Sequence, residues 1–453
     1  MYIKRNSEAF LKDWKGRSGR KPLVIRGARQ TGKSRLVEEF GRNNYEHLVV
    51  VNLEKEPHLK QLFDKTEVRD IIRELEIIKD TPIPPGKALI FIDEIQEYSP
   101  AIIKLRYFHE ELPGQHVIAA GSLLEFVLEN EQQSFPVGRV DFHYLFPLTF
   151  VEFLEGAGKK RLVDVLTSSR PEEKLSDAIH GEMRKHLRDY LLVGGMPEAV
   201  SQFFATGGYR EAGFVKESII ETYRDDFKKY SKRVNVDNLD EVFREAPKWI
   251  GQRVNLNKFG GEMGSRATGV SIGLLQRAMI LNRVNRAKEA SFPLLPLKKS
   301  QPKLVFLDIG LAQHVNHISA EILESNNYSS VYKGGLAEQF VGQEFLPLLG
   351  LHRRPELFYW HREAKGSTAE VDYLFPSGPH LLPVEVKAGR GSTLFSLHQF
   401  MATRKSPLAI RIYDGQLQIE EIKISRPALK YRLLSVPLYM VSEIPRLVET
   451  FQA

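Results

Sequence analysis

The chain has 453 residues, a formal net charge of +7 and no cysteine. A chain of this length exceeds one hydrophobic core of typical size, so we expect roughly two to four domains with a substantial buried interior. The absence of cysteine excludes disulfides, thiolate metal sites and cysteine nucleophiles, and any metal must therefore be held by oxygen or imidazole. The charge excess is modest for the length and is only weak support for a nucleic-acid partner.

No stretch of the sequence approaches the roughly 18 to 20 uninterrupted apolar residues that a membrane-spanning helix needs. Residues 1–5 lack the apolar segment of a secretory signal peptide. We therefore expect a cytoplasmic protein with no membrane partner.

Residues 22–153 alternate short apolar runs with polar segments that have the composition of helices. The apolar runs are rich in β-branched residues, which predicts buried strands. A loop rich in proline, residues 81–86, precedes the third strand. The pattern predicts a parallel sheet covered by helices on both faces. The predicted strands are residues 23–25, 47–51, 88–92 and 116–120.

Residues 154–230 are helical in pattern, and a glycine-containing break at residues 193–197 interrupts long charged segments such as residues 171–192. This pattern predicts a small helical subdomain that acts as a connector. Residues 234–315 mix helices with a predicted β-ribbon over residues 290–306. We interpret this region as a compact helix-and-wing module.

The last part of the chain begins near Tyr332 with a predicted helix over residues 336–349. Three predicted strands follow, separated by turn residues of which 376–379 are the clearest. These strands are residues 357–360, 369–375 and 381–386.

Residues 27–34 fit the pattern G-x-x-x-x-G-K-[ST] and stand between the first predicted strand and a helix that begins near Lys33. The glycines let the backbone turn so that N–H groups and the helix N-terminus face phosphates. Lys33 adds a charge at the β- and γ-phosphates, and Ser34 ligates Mg²⁺. The alternative is a chance match in a glycine-containing turn. The residues predicted to contact ATP are Gly27, Ala28, Arg29, Gln30, Thr31, Gly32, Lys33, Ser34 and Arg35.

Residues 88–94 form an apolar strand that ends in Asp93 and Glu94. Ligands bind at this carboxyl edge in open α/β sheets. An aspartate in this position holds Mg²⁺ through its water shell, and the glutamate polarises the attacking water. Because two separate segments supply the two halves of one site, the sequence predicts that the chain binds and hydrolyses ATP.

Two further residues have more than one interpretation. Ser122 follows the fourth strand and is either a sensor of the γ-phosphate or a turn serine that caps a helix over residues 123–125. Arg139 is either an arginine finger for the γ-phosphate of a neighbouring subunit or a solvent-facing side chain.

Several segments together resemble a large prokaryotic family of AAA+ ATPases whose members carry a C-terminal, nuclease-like domain of uncharacterised function. The segments that carry the resemblance are residues 27–34, 91–96, 120–122, 138–139, 147–153, 194–198 and 306–311.

The resemblance covers nearly the whole chain and implies an α/β multidomain protein. Its parts are a P-loop AAA+ core with a parallel sheet (residues 1–155) and a helical lid or linker (156–232). A winged-helix-like module (233–328) and a restriction-endonuclease-like α/β domain (329–453) follow. The resemblance also implies that ATP binds between the subunits of a ring, expected to be a hexamer.

A second group of charged residues lies in the predicted C-terminal hairpin. Side chains alternate along a strand, so Glu385 and Lys387 face the same way, and Asp372 lies on the partnering strand. Asp372 and Glu385 could hold a divalent cation while Lys387 positions a nucleophilic water. The alternative is an exposed strand on which Glu385 and Lys387 form a surface ion pair.

This group resembles the PD-(D/E)xK nuclease superfamily, and Glu338 matches the acidic residue that the preceding helix contributes there. The resemblance adds Glu338 to the predicted Mg²⁺ ligands, and Gln399 is a weaker candidate. A fold of this kind can also use its groove only to bind DNA.

Residues 283–303 carry six basic residues against one acidic residue, Glu289, which gives a local charge of +5. Such a run on a wing contacts phosphates, or it is a solvated face. The basic residues are Arg283, Arg286, Lys288, Lys298, Lys299 and Lys303.

Two partner classes compete with DNA. Ring unfoldases grip polypeptides with an aromatic-apolar-glycine loop, and residues 53–87 contain no such triplet, which disfavours a protein remodeller. The other class is an ATP-gated regulatory or defence switch whose last domain is catalytically inactive. The sequence therefore favours an ATPase that binds and remodels DNA of branched or otherwise structured form, with Mg²⁺-dependent cleavage by the last domain as a further hypothesis.

Overall fold

The computed structural model describes residues 1–122, 124, 138–230, 235–316, 334–350, 353–362, 369–387, 394–404, 406–424 and 429–449. The chain divides into two compact units. Unit 1 comprises Met1–Pro147, Arg277–Met279 and Gly350–Arg354, and unit 2 comprises Leu148–Gln276, Ile280–Leu349 and Pro355–Ala453. The four predicted domain boundaries stay a prediction. Residues 123, 125–137, 234 and 332 lie outside the described residues, and most of the predicted cap helix at 123–125 lies there with them.

Unit 1 contains a five-stranded parallel sheet in the order β2-β3-β4-β1-β5. Its first four strands coincide with the four predicted apolar runs to within one residue. The strands are β1 (Leu23–Arg26), β2 (His47–Asn52), β3 (Ala88–Asp93), β4 (His116–Gly121) and β5 (Asp141–Tyr144). The helices are α1 (Ser7–Gly16), α2 (Lys33–Asn44), α3 (Val68–Lys79) and α4 (Ser99–Glu111).

Strands β1 to β4 divide their side chains between two separate apolar cores. Val24, Ile90 and Val117 pack in one core, whereas the alternate residues Ile25 and Phe91 pack in the other. Successive side chains of a strand point to opposite faces, so two cores require helices on both faces of the sheet. The prediction of a parallel sheet buried on both sides is confirmed.

Unit 2 begins with helices and continues with mixed structure. Its first helices are interrupted after Val193, where Gly194 has φ 85° and the next helix begins at Pro197, so the predicted break at 193–197 is observed. The helices are α5 (Phe150–Gly156), α6 (Lys160–Ser168), α7 (Asp177–Val193), α8 (Pro197–Thr206), α9 (Tyr209–Tyr230), α10 (Val236–Glu245), α11 (Leu256–Phe259), α12 (Ser265–Arg277), α13 (Ile309–Val315), α14 (Gly334–Leu349), α15 (Phe395–Thr403) and α16 (Ile444–Glu449).

Unit 2 also contains two sheets, with strand orders β7-β6-β8-β9 and β10-β11-β12-β14-β13. The strands are β6 (Leu281–Arg286), β7 (Lys303–Phe306), β8 (Leu357–His361), β9 (Glu370–Val371), β10 (Tyr373–Ser377), β11 (His380–Lys387), β12 (Leu408–Tyr413), β13 (Gln418–Ile424) and β14 (Leu429–Pro437). No helix among the described residues of either unit combines the length and the apolar character needed to cross a membrane.

Two predicted elements of unit 2 differ in the structure. The ribbon predicted over residues 290–306 is instead the pair β6 and β7, and β6 also pairs in parallel with β8. Its prolines lie in the loop between the strands, because proline cannot donate the ladder hydrogen bond. The predicted turn at 376–379 is shorter, since Pro376 lies on β10, an edge strand where proline is tolerated.

The segments around residues 194 and 308 meet in the core of unit 2. The Gly195 N–H donates to Asp308 Oδ2 at 2.6 Å, and the Leu311 N–H donates to Asp308 Oδ1 at 3.0 Å. A Cβ on Gly194 would lie 2.1 Å from Asp308 Oδ1, and a Cβ on Gly310 would lie 2.4 Å from the Val193 carbonyl oxygen. Only glycine allows the two segments to come this close. Gly194 and Gly310 therefore serve the packing of unit 2.

Two buried glutamines of α14 hold the same region. Gln339 exchanges two hydrogen bonds of 2.8 Å with the main chain of Phe306, and Gln343 accepts from the Ile309 N–H at 2.8 Å. Residues four apart share one helix face, so α14 binds the end of β7 and the start of α13 along a single line. The two glutamine side chains thereby supply hydrogen-bond partners to buried main-chain groups of residues 306 and 309.

Replacing Gly310 by alanine should destabilise unit 2. The added Cβ overlaps main-chain atoms of residues 193 and 194, which cannot move without disturbing the Asp308 contacts. We expect a loss of about 1–3 kcal/mol in the free energy of unfolding, measured by denaturant titration.

The matched control is Gly181→Ala. Gly181 lies within α7, and a Cβ there meets nothing within 4 Å. This variant should gain about 0.5–1 kcal/mol, since alanine is the better helix former. Equal stability of the two variants would contradict the packing described for Gly310.

Candidate nucleotide-binding site

The loop between β1 and α2 has the backbone that phosphate binding requires. Gln30 and Gly32 both have positive φ, 61° and 90°, and Lys33 begins the helix. A Cβ on Gly27 would lie 2.4 Å from the Leu145 carbonyl oxygen, so this position requires glycine for close approach rather than for its φ. The loop is therefore tightly turned ahead of the α2 N-terminus, as the sequence pattern predicts.

Lys33 lies inside this loop. Its Nζ donates to the carbonyl oxygens of Gly27 at 3.0 Å and Ala28 at 2.8 Å, and the side chain is buried. Burial lowers the pKa of Lys33 to about 8, although Glu94 and Asp93 oppose that shift through their negative charge. The ammonium thus lies near both acidic residues at the end of β3.

Asp93 ends β3 and is fixed by three hydrogen-bond donors. The Ser34 hydroxyl and the Glu94 N–H donate to its carboxylate, and Asn52 Nδ2 donates to Oδ2 at 3.0 Å. Burial raises the pKa of Asp93, and the hydrogen bond from Ser34 acts in the opposite direction. The structure therefore brings Ser34 and Asp93 into direct contact, as a shared Mg²⁺ site requires.

Glu94 leaves the strand in the left-handed conformation, with φ 50° and ψ 46°. Such a backbone is costly for a residue other than glycine, and it occurs where function demands a particular side-chain direction. Gln96 Nε2 donates to Glu94 Oε2 at 2.6 Å. A Cβ on Gly121 would lie only 2.2 Å from Gln96 Oε1. Gly121 is thus needed so that Gln96 can hold Glu94.

Ser122 and Arg139, the two residues with more than one interpretation, lie in different surroundings. Ser122 is buried directly after β4, and its hydroxyl has no hydrogen-bond partner among the described residues. Arg139 is about half exposed and forms an ion pair of 2.7 Å with Glu110 of α4. The role of each residue stays a prediction, since neither side chain contacts Lys33 or Asp93 in a described hydrogen bond.

Arg5 stabilises the loop, and no local sequence pattern predicts this role. Its guanidinium is buried and donates to the carbonyl oxygens of Thr31 at 2.9 Å and Phe146 at 2.7 Å. Arg35, which the sequence pattern adds to the ATP contacts, is exposed and pairs with Glu39 at 2.6 Å. Arg29 is partly exposed, and its contact with ATP stays a prediction.

The second predicted site is organised around a lysine in unit 2. Lys303 Nζ lies 2.9 Å from Glu338 Oε2, 2.7 Å from Glu370 Oε1 and 3.0 Å from Asp372 Oδ1. Burial alone would lower the pKa of Lys303, but the three carboxylates outweigh it and hold the pKa well above its usual value. The prediction that Lys303 contacts phosphates on a wing is wrong, because its side chain is only 4% exposed.

Glu385 and Lys387 point the same way from β11, as predicted, and form an ion pair of 2.6 Å. Glu385 is buried, so this is not a surface pair, and burial raises the pKa of Glu385 to about 7. Burial likewise raises the pKa of Glu338 to about 8. Within the described ranges, no group of three or more His, Cys, Asp or Glu side chains is arranged to hold a metal ion.

Several residues that these sites use were not among the predicted site residues. Asn52 had a usable signal, since it is the polar end of an apolar run on the strand next to β3. Lys303 and Arg5 had none, because their partners lie far along the chain. The missed residues are Arg5, Asn52, Gln96, Lys303 and Glu370.

Comparison with protein families gives three matches along the chain. Residues 19–154 match the AAA domain family. Residues 184–322 match a domain of unknown function, DUF8612, and residues 333–431 match another, DUF4143. The AAA match covers the loop at 27–34 and the end of β3, so it supports an AAA+ ATPase core with a nucleotide site.

Among solved structures, the chain is similar to the ORC2 protein of Aeropyrum pernix in ADPNP and ADP complexes, at 12% identity over 72% of this chain and 96% of that chain, with a TM-score of 0.37. The ORC1 protein of Aeropyrum pernix in complex with DNA matches at 13% identity over 70% and 93%, with a TM-score of 0.29. The RuvB Holliday junction branch migration motor of Thermotoga maritima matches at 17% identity over 62% and 90%, with a TM-score of 0.29. These similarities are weak, and the ATPase assignment rests on the family match and the site geometry. No curated protein matches the chain.

The affinity for ATP should fall as pH rises above about 8. Lys33 has a pKa of about 8, because burial disfavours its charge. Phosphate oxygens favour the charged form, so binding above that pH requires proton uptake, and affinity falls about tenfold per pH unit. Below pH 8 the lysine is charged in both states and this dependence vanishes.

Isothermal titration calorimetry between about pH 7 and pH 9.5, in buffers of different ionisation enthalpy, measures both affinity and proton uptake. The control is Lys33→Arg, whose guanidinium stays charged throughout this range, so its affinity should not follow the same slope. A flat profile in the unmutated protein would contradict the buried state of Lys33.

Proposed function

We propose that this protein is an ATPase that uses nucleotide binding and hydrolysis to act on DNA. The observation that carries the ATPase part is the convergence of Lys33, Ser34, Asp93 and Glu94 on one edge of the unit 1 sheet. In this proposal Lys33 and the loop amides bind the phosphates, and Glu94, aimed by Gln96, polarises the attacking water.

Mg²⁺ belongs to the same proposal. The Ser34 hydroxyl and the Asp93 carboxylate are hard oxygen donors in contact with each other, which is the donor set that Mg²⁺ prefers. A bound Mg²⁺ would supply positive charge to the phosphates. The protein must hold these two oxygen ligands in place. Asn52 does this for Asp93 by donating a hydrogen bond to its carboxylate.

The DNA partner is supported by a basic groove in unit 2. An open groove of about 660 Å³ is lined by three basic side chains, Lys288, Arg362 and Arg404, and by one acidic side chain, Glu289. Lys298 and Lys299 are exposed on the same β6–β7 loop. Three basic side chains against one acidic side chain suit a polyanion.

The finer parts of the proposal concern assembly and domain type. We propose a ring, of hexameric form, in which Arg139 reaches the nucleotide of the next subunit, and its half-exposed position in unit 1 is compatible with that. We also propose that α10, α12 and the β6–β7 pair form a winged-helix-like module. The β10–β14 sheet with α14 and α15 would then be the restriction-endonuclease-like domain, and branched or structured duplex would be the preferred DNA.

A second candidate function is an ATP-gated regulatory switch whose last domain is catalytically inactive. The observation that favours it is that Lys303 pairs with both Glu338 and Asp372, two of the residues predicted to ligate Mg²⁺. The two candidates differ in whether DNA binds at low salt.

Glu94→Gln should preserve ATP binding and slow hydrolysis by at least about 100-fold, because the amide cannot accept a proton from water. Lys33→Ala should abolish binding. Nucleotide affinity and steady-state phosphate release measure the two effects. The control is Glu97→Gln, a partly exposed neighbour that pairs with Lys60 at 3.9 Å and should hydrolyse ATP normally. Unmutated hydrolysis rates in Glu94→Gln would exclude Glu94 as the water-polarising residue.

DNA binding should depend on the groove and on salt. Fluorescence anisotropy with linear, forked and four-way DNA, with and without ATP and Mg²⁺, should show affinity that falls with salt. Arg362→Ala and Arg404→Ala should each reduce the slope of log affinity against log salt by about 0.9. Lys423→Ala, an exposed lysine on β13, should leave the slope unchanged. If none of these DNAs binds at low salt, the switch is the better function.

A further inference from the structure

The carboxylate cluster of unit 2 contains its own cation. Lys303 extends from β7, whose backbone is fixed by pairing with β6, and its ammonium meets carboxylates from α14, from β9 and from the residue between β9 and β10. An ammonium has three N–H donors and Lys303 has three carboxylate partners. All donors of this buried charge are therefore satisfied.

The distances suit an ammonium and not a divalent metal. The three Nζ to oxygen distances of 2.7 to 3.0 Å are those of charge-assisted hydrogen bonds. Mg²⁺ instead requires oxygen ligands at about 2.0–2.1 Å in octahedral arrangement. A divalent metal at this place would put two positive charges next to the ammonium of Lys303. The Lys303 side chain is only 4% exposed and cannot move into solvent to avoid them.

Several of the remaining carboxylate oxygens are also engaged, although Glu385 Oε2 is buried with no hydrogen-bond partner among the described residues. Asp372 Oδ2 accepts the Val386 N–H at 2.9 Å, so both oxygens of this carboxylate are used. Glu385 Oε1 pairs with Lys387 at 2.6 Å, and Arg253 lies 3.4 Å from Glu370 Oε2. The Tyr359 ring covers another side of Lys303, with its centroid 5.7 Å from Nζ.

We propose that Lys303 is the built-in counter-ion of Glu338, Glu370 and Asp372, and that this cluster takes up no divalent metal. The cluster then ties β7 to α14 and to the β9–β10 segment, and it does not activate water for phosphodiester hydrolysis. This inference is independent of the ATP site and of DNA binding, and either can fail without affecting it.

The first test counts metal ions on the folded protein. Nucleotide-free Asp93→Asn protein, which lacks the carboxylate of the ATP site, is titrated with Mn²⁺, and free Mn²⁺ is measured by electron paramagnetic resonance. We expect the same curve for Asp93→Asn and for the double variant Asp93→Asn/Asp372→Asn. One bound Mn²⁺ that is present in the first and absent in the second would overturn the proposal.

The second test removes the internal cation. Lys303→Met in the Asp93→Asn background keeps the length of the side chain and leaves the carboxylates without a counter-ion, so we expect it to gain one Mn²⁺ site at least about tenfold tighter than any in the parent. Lys288→Met, an exposed lysine after β6, is the control and should gain none. A folded Lys303→Met variant that binds no additional Mn²⁺ would overturn the counter-ion role. Should circular dichroism show that this variant does not fold, the first test decides alone.

Discussion

The buried ammonium of Lys33 is attracted to the carboxylates of Asp93 and Glu94, which lie at the end of β3 in the unit 1 sheet. The loop that carries Lys33 can lie there only because Gly27 passes close to the Leu145 carbonyl and because Gly32 takes a left-handed conformation. Lys33 binds two carbonyl groups of its own loop. Phosphate oxygens would replace those carbonyls as partners of the ammonium.

Much of this site could be predicted from the sequence, because its parts are local. The loop pattern at 27–34 lies between a strand and a helix that both have clear apolar periodicity, and Asp93 and Glu94 directly follow a buried strand. The carboxyl ends of parallel strands meet at one edge, so the topology alone brings these segments together. The two apolar cores of unit 1 follow from the same alternation along each strand.

The residues that could not be predicted act over long sequence separations. Arg5 reaches Phe146 and Lys303 reaches Asp372, and nothing in the local sequence marks either pair. Lys303 is instructive, since its place in a basic run suggested a solvated or phosphate-contacting face. A buried lysine is stable only when it is paired, and its partners lie on elements that follow it in the chain. The glycines near residues 194 and 310 similarly serve packing around Asp308, which sequence patterns alone do not distinguish from a functional motif.

A crystal structure with Mg²⁺ and a non-hydrolysable ATP analogue tests most directly whether Lys33 and Asp93 act on one magnesium-bound triphosphate. We expect the Lys33 ammonium to leave the carbonyls of Gly27 and Ala28 for phosphate oxygens, with the metal beside Ser34 and Asp93. A structure in which Lys33 keeps both carbonyl contacts while the triphosphate binds elsewhere would contradict this shared role.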